Sequence, residues 1–185
     1  MKFQEVVSRR RAYRALEPVQ ITEDMVRQLA ETAAMAPSCF NNQPWRYVFV
    51  YGSQELQEVK KALARGNAWA QNASMIIGVY SKKELDCRIK GRDYYLFDTG
   101  MATAFLQLQA TTMDLVAHPI AGFNEERARE AMGIDPDMRL ITLVIVGRQA
   151  SRPEDYLEGQ DLEGELNRPP RKPWSEFAFI DRAGD

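Results

Sequence analysis

The sequence predicts an α+β fold, a sheet layered between helices. Helical patterns separate a few short, apolar, β-branched runs that read as strands. The order of elements, α-α-β-α-β-α-α-β followed by a tail, lacks the regular βαβ alternation of a parallel dinucleotide-binding sheet. No G-x-G-x-x-G motif is present.

Each element has a local reason. Phe3, Val6, Val7 and Arg10 sit at helical spacing, so the chain opens on a helix ending near Arg10. Thr22 is placed to cap a second helix, with Glu23 and Asp24 at its positive end. Met25, Val26, Leu29, Ala30 and Ala33 give that helix an apolar stripe, and Pro37 closes the segment. WRYVFVY, from Trp45 to Tyr51, reads as a buried strand. Ser53 is placed to cap a third helix with Leu56, Val59 and Leu63 on one face and Gly66 past its end. Met75 to Tyr80 is a second strand. Asp93 to Leu115 is the longest helical stretch and is apolar around much of its circumference, as suits a central or interfacial helix. Glu125 to Met132 is a short helix stopped by Gly133, and Leu140 to Val146 is a third strand. AHPIAGF, between the last two helices, reads as a connection.

The 185 residues suit one domain spanning 1–185, with residues from about 149 to 185 forming an extended C-terminal arm. Ser151 to Glu165 holds six acids and one arginine, and RPPRKPW follows, from Arg168 to Trp174. Trp174, Phe177, Phe179 and Ile180 give the arm apolar anchors, which favours wrapping over a partner subunit rather than disorder.

Bulk properties exclude several functions. A net charge of −2 and a pI near 5.6 give no overall reason to expect a nucleic-acid partner. No apolar run approaches the ~18 residues of a membrane span, and the N-terminal MKFQEVVSRRR has no apolar core of a secretory signal. Cys39 and Cys87 are far apart in sequence and fit no metal or redox spacing. They read as unpaired thiols in a reducing, cytoplasmic setting. The single histidine, His118, removes most metal sites and most histidine-based nucleophile schemes.

Four stretches can still carry chemistry. SRRRAYR, Ser8 to Arg14, packs four arginines into seven residues. It is either a solvated helix end or a phosphate clamp, since guanidinium forks bind phosphate oxygens bidentately. Arg168, Arg171 and Lys172 form a second basic knot, either a surface patch or the other side of that clamp. PSCFNNQPWR, Pro37 to Arg46, carries a hydroxyl, a thiol and three amides, but no charge before Arg46. Ser38 or Cys39 as a nucleophile is disfavoured, because they follow a helix C-terminus and have no histidine nearby in sequence. Asn41, Asn42 and Gln43 instead offer donors and acceptors for the edge of a polar heterocycle. In AHPIAGF, Ala121 and Gly122 permit close approach of a ligand to the backbone, while His118 reads as structural.

Taken in order, these stretches resemble the nitroreductase family of FMN-dependent NAD(P)H oxidoreductases over nearly the whole chain. RRAYR resembles the family's N-terminal phosphate motif, PSCFNNQPWRYVFV its polar loop and following strand, PIAGF its loop over one flavin face, and PPRKPWSEF its C-terminal ending. The resemblance implies a central mixed, mostly antiparallel sheet between helices, and a homodimer with two FMN sites at the subunit interface. It assigns Arg10, Arg11, Ala12 and Arg14 to the phosphate and ribityl end. Ala12 stands where the family usually has serine and offers only backbone. Pro37, Ser38, Cys39, Asn41 and Gln43 would contact the flavin from the other subunit. Pro119, Ile120, Ala121 and Gly122 would flank the ring near N5, and Arg171, helped by Lys172, would complete the clamp. Arg168 lies outside the matching pattern. No metal and no protein catalytic group is implied, because flavin N5 carries the hydride. NADH or NADPH would be the reductant, and a small nitroaromatic or quinone the acceptor. Dehalogenation or flavin fragmentation, with Lys82 to Arg92 as a lid, and a non-enzymatic flavin-binding module are the alternatives.

Overall fold

The computed structural model describes residues 1–183. Helix α1 (Phe3–Arg9) leads through an extended segment to a short strand β1 (Leu16–Glu17) and then to α2 (Glu23–Ala34). The loop around residues 37–43 opens onto β2 (Arg46–Val50), followed by α3 (Ser53–Lys60) and a turn-rich stretch, Arg65–Asn72. After β3 (Met75–Ser81) comes a small hairpin, β4 (Arg88–Ile89) with β5 (Arg92–Asp93). The long α4 (Tyr95–Thr112), β6 (Val116–Ile120), α5 (Glu125–Met132), β7 (Arg139–Gln149) and α6 (Gly159–Leu166) complete the order.

Every strand pairing among the described residues is antiparallel. In the main sheet β7 is the hub, bonded to β1, β3 and β6, and β2 lies beyond β3. The alternation of side chains explains why both strand faces are apolar. Met75, Ile77 and Val79 of β3, with Val144 and Val146 of β7, pack on Leu29 and Ala33 of α2 and on Ala102, Leu106 and Ala110 of α4. The intervening Ile76, Leu143 and Ile145 pack on Leu56 and Val59 of α3 and on Ala128 and Met132 of α5. With helices on both faces, the strands read as continuous apolar runs. Each fully buried Leu or Ile there contributes roughly 1.5–3 kcal/mol relative to exposure. Gly78 lets α5 approach, because a Cβ built there would lie 2.5 Å from the Met132 sulfur.

The expected helices and strands are present, joined by the short β1 and the β4–β5 hairpin, and several expectations change. Ser53 is the first residue of α3, and Gly52 occupies the cap position. AHPIAGF is not a plain connection. Its first half is β6, whose residues bond to the hub strand from Gly147 to Leu143. Proline inside it is tolerated because β6 is an edge strand, paired among the described residues with β7 alone. The acidic stretch after residue 151 contains α6, anchored by the buried Glu165. Finally, Cys39 and Cys87 are joined in a disulfide, with their Cα atoms 6.0 Å apart. The expectation of unpaired thiols is overturned. The segment between them, a sequence separation of 48, includes two strands that bring the chain back, so sequence separation did not measure distance. The inference of a reducing compartment loses that support.

Candidate functional site

A cavity of about 330 Å³ lies between the segment Arg10–Arg14 and the C-terminal arm. As the spacing suggested, α1 ends at Arg9 with Arg10 as its C-cap, whereas Arg11 and Arg14 lie beyond the helix. Arg11 and Arg14 sit on the extended stretch leading to β1. Several contacts bind this stretch to the arm. The buried Glu165 carboxylate accepts the backbone N–H of Arg14 at 2.9 Å and of Ala15 at 3.1 Å. The Arg11 guanidinium donates to the carbonyls of Gly164 and Asn167 and lies over the Tyr13 ring. Arg14 pairs with Asp161.

Arg10, Arg168 and Arg171 behave differently. All three line the cavity. Arg168 donates to the Arg10 carbonyl at 2.6 Å, and among the described residues none of the three forms an ion pair. Burial, and then the charges of Arg168 and Arg171, push the Arg10 guanidinium below its ordinary value. Arg10 is half-buried while Arg168 and Arg171 are exposed, so water screens part of their mutual repulsion and an entering anion relieves the rest. The donor set therefore fits a phosphate group. His118 forms part of the same wall. Its Nδ1 lies 3.0 Å from the Tyr13 carbonyl and its ring stacks on Trp69 with centroids 4.6 Å apart. Burial, then Arg14 and Arg10, hold it below the usual histidine range, so Nδ1–H donates to Tyr13.

The loop from Pro37 to Gln43 satisfies much of its own polarity. Ser38 Oγ accepts the Gln43 N–H at 2.9 Å, and the Cys39 N–H donates to the buried Asp98 carboxylate at 2.6 Å. Phe40, Asn41 and Gln43 hold φ of 49°, 59° and 49°, a left-handed region that non-glycine residues occupy at a cost. Arg46, to which the sequence assigned no role, fixes the loop exit by donating to the Gln43 and Trp45 carbonyls. The Asn41 side-chain amide makes no hydrogen bond among the described residues, which leaves its donor and acceptor for a ligand.

The turn after β6 is held from below. The Gly122 carbonyl accepts Ala64 N–H at 3.1 Å and Asn67 Nδ2 at 2.8 Å. A Cβ at Gly122 would lie 2.6 Å from Asn67 Nδ2, so packing against Asn67 already demands glycine. The backbone N–H groups of Ala121 and Gly122 donate to nothing among the described residues.

Of the expected residues, Arg10, Arg11, Ala12, Arg14 and Arg171 line one cavity together with His118. Pro37–Gln43 and Pro119–Gly122 do not line it. Lys172 faces away, paired with Glu176 at 3.4 Å. Arg168, excluded by pattern matching, is inside. Asp98 was not foreseen; a lone acid on an otherwise apolar helix was its only signal.

Comparison with known proteins places the fold. The model of the Nitroreductase family matches residues 7–75 and 57–148. The Bacillus subtilis (strain 168) protein YdgI, provisionally named an NAD(P)H nitroreductase, is 26% identical over 187 residues, covering 80% of this chain and 88% of its own. A nitroreductase family protein from Clostridium novyi NT superposes with a TM-score of 0.75 at 26% identity, over 85% of this chain and 92% of that one. A structure described as an oxidoreductase containing FMN superposes with a TM-score of 0.86 at 25% identity, over 100% and 94% of the two chains. With its family model spanning most of the chain, its sheet between two helical layers and its ordered motifs, this protein belongs to the nitroreductase family.

Proposed function

We propose that the protein is an FMN-dependent NAD(P)H oxidoreductase acting as a homodimer on small oxidised acceptors of the quinone or nitroaromatic type. The observation that carries this reading is the cavity where Arg10, Arg168 and Arg171 face one another without a counter-ion. An anchored flavin phosphate supplies the missing negative charge. Bound FMN supplies reversible hydride acceptance at N5, with NADH or NADPH as donor and the acceptor following in ping-pong order. The chain's own residues bind and orient. Arg10, Arg168 and Arg171 hold the phosphate, with Arg11 and Arg14 fixing the segment that carries them. The free amide of Asn41 reads the heterocycle edge, and the unpaired N–H groups of Ala121 and Gly122 are available beside the ring. The absence of a local acid–base pair is no handicap for hydride transfer.

The dimer follows from the same geography. Pro37–Gln43 and the arginine cavity are separate in one chain, so a flavin that spans both takes one from each subunit. The arm residues Trp174, Phe177, Phe179 and Ile180 are exposed in the single chain, as are Leu96 and Phe97 on α4. A second subunit would cover such apolar surface.

The test is direct. The purified protein, alone or after incubation with FMN, is expected to show a flavin spectrum and to bleach anaerobically with NADH or NADPH. It should then reoxidise with a quinone. A protein that binds no FMN sinks the reading, and one that binds FMN but is never reduced is a flavin-binding module. Light scattering should return a dimer, and a flavin-loaded monomer would remove the shared-site arrangement.

A further inference from the structure

The Cys39–Cys87 disulfide lies in a setting unlike that of a buried staple. Both cysteines are half-buried. One belongs to the turn Cys39–Asn41, beside the left-handed residues Phe40 and Asn41. The other belongs to the strap of residues 82–93, whose β4–β5 hairpin pairs chiefly with itself. Few other ties hold strap to loop. Asn42 Nδ2 donates to Asp86 Oδ1 at 3.2 Å and reaches Cys87 Sγ at 3.4 Å.

Two carboxyl groups sit at the bond. Asp86 Oδ2 is buried and has no hydrogen-bond partner. Asp98, buried on α4, accepts the Cys39 N–H at 2.6 Å. Burial first, and then Asp86, push the Asp98 carboxyl up, so Asp98 holds a proton more readily than a free carboxyl.

We propose that Cys39–Cys87 is a redox-active disulfide, reduced by a small dithiol, whose state fastens or releases the strap of residues 82–93 from the Pro37–Gln43 loop. A reductant thiolate attacks the Cys39 sulfur and the S–S bond breaks. The electron pair goes to Cys87 Sγ, where Asn42 Nδ2 stabilises developing charge and the Asp86–Asp98 pair delivers a proton. The second reductant thiol, after losing its proton to that pair, attacks the mixed disulfide. It leaves as the cyclic disulfide, and Cys39 takes a proton from water. The balance is one dithiol oxidised and two protein thiols formed. Release frees the strained loop that forms one wall of the proposed flavin site, and this last consequence rests on that functional reading.

The experiment uses the native full-length chain, with and without FMN. It is treated with dithiothreitol, alkylated with iodoacetamide, and analysed by mass spectrometry and amide hydrogen exchange. The expected result is two alkylated cysteines without denaturant, with faster exchange confined to residues 37–43 and 82–93 while β3 and β7 stay protected. Cys87→Ser should show that exchange pattern without reductant. Asp98→Asn should slow reduction about tenfold or more. Alkylation that requires denaturant overturns the proposal. So does full alkylation with unchanged exchange in both segments. Thiol count and exchange are read independently of flavin. Failure to bind FMN with the thiol behaviour intact would therefore remove only the functional reading, and FMN binding with an inert disulfide would remove only this proposal.

Discussion

At the Arg10 cavity, Arg10, Arg168 and Arg171 face one another without an ion pair among the described residues, while the lining acids Asp161 and Glu165 are taken up by Arg14 and by backbone N–H groups. The Pro37–Gln43 loop carries no charged side chain of its own, and hydrogen bonds and a disulfide tie its strained backbone to its neighbours. At the cavity, an entering anion relieves the repulsion that water leaves unscreened. The loop is already satisfied, apart from a few groups such as the Asn41 amide. Ligand binding should thus depend on charge at one region and on preset shape at the other.

The largest expected effect strikes the loop through its cross-link. Cys87→Ser opens a loop spanning a sequence separation of 48 in the unfolded chain and should lower unfolding free energy by about 2–4 kcal/mol in denaturant titration under oxidising conditions. Wild-type protein assayed with dithiothreitol should lose a similar amount, which separates the bond from the substitution itself. An unchanged midpoint would show that packing alone holds the loop.

Next is Arg10→Ala in the cavity. Losing a hydrogen bond to a charged group costs about 1.5–3 kcal/mol, so FMN affinity should fall roughly 10- to 150-fold. Riboflavin, which lacks the phosphate, should bind wild type and variant alike. Equal losses for both ligands would refute the charge-based half of the comparison. High salt should also weaken FMN binding more than riboflavin binding.

Asn41→Ala tests the shape-based half. One neutral hydrogen bond is worth about 0.5–1.5 kcal/mol, so FMN and riboflavin affinities should fall together, by roughly tenfold at most. A loss confined to FMN would place Asn41 at the phosphate instead.

The smallest effect concerns Asp98. Its carboxyl is raised from the ordinary 3.8, burial first and Asp86 after the opposing Cys39 N–H. A raised folded value means that the protonated form's stabilisation is complete below the unfolded value and is lost as pH rises through the folded one. Asp98→Asn keeps an acceptor for the Cys39 N–H and removes that loss. Its melting temperature should equal or slightly exceed wild type at neutral pH, and the difference should shrink towards acid. A variant less stable at neutral pH would show that the ionised carboxylate is the favoured form.

The same two regions show what pattern reading can reach. RRAYR was legible because arginines cluster visibly, and five of the residues expected at the phosphate end do share one cavity. Arg168 was dropped and Lys172 included because matching to a pattern counts positions. The irregular arm after α6 instead lets Arg168 donate to the Arg10 carbonyl and leaves Lys172 paired with Glu176. At the loop, polarity without charge was evident, but Asp98, Asp86 and Cys87 come from elements 44 to 59 positions away. No local pattern announces such partners.

The sequence by itself determined the helices and strands with strong periodicity, the two-sided apolar strands and the basic and polar segments. These depend on neighbours three or four residues apart, or on alternation along a strand. Only the tertiary structure decided that β6 joins the hub strand, that Arg168 enters the cavity and that Cys39 meets Cys87. Those outcomes depend on contacts between distant segments, whose geometry is set when both faces of the sheet are buried together.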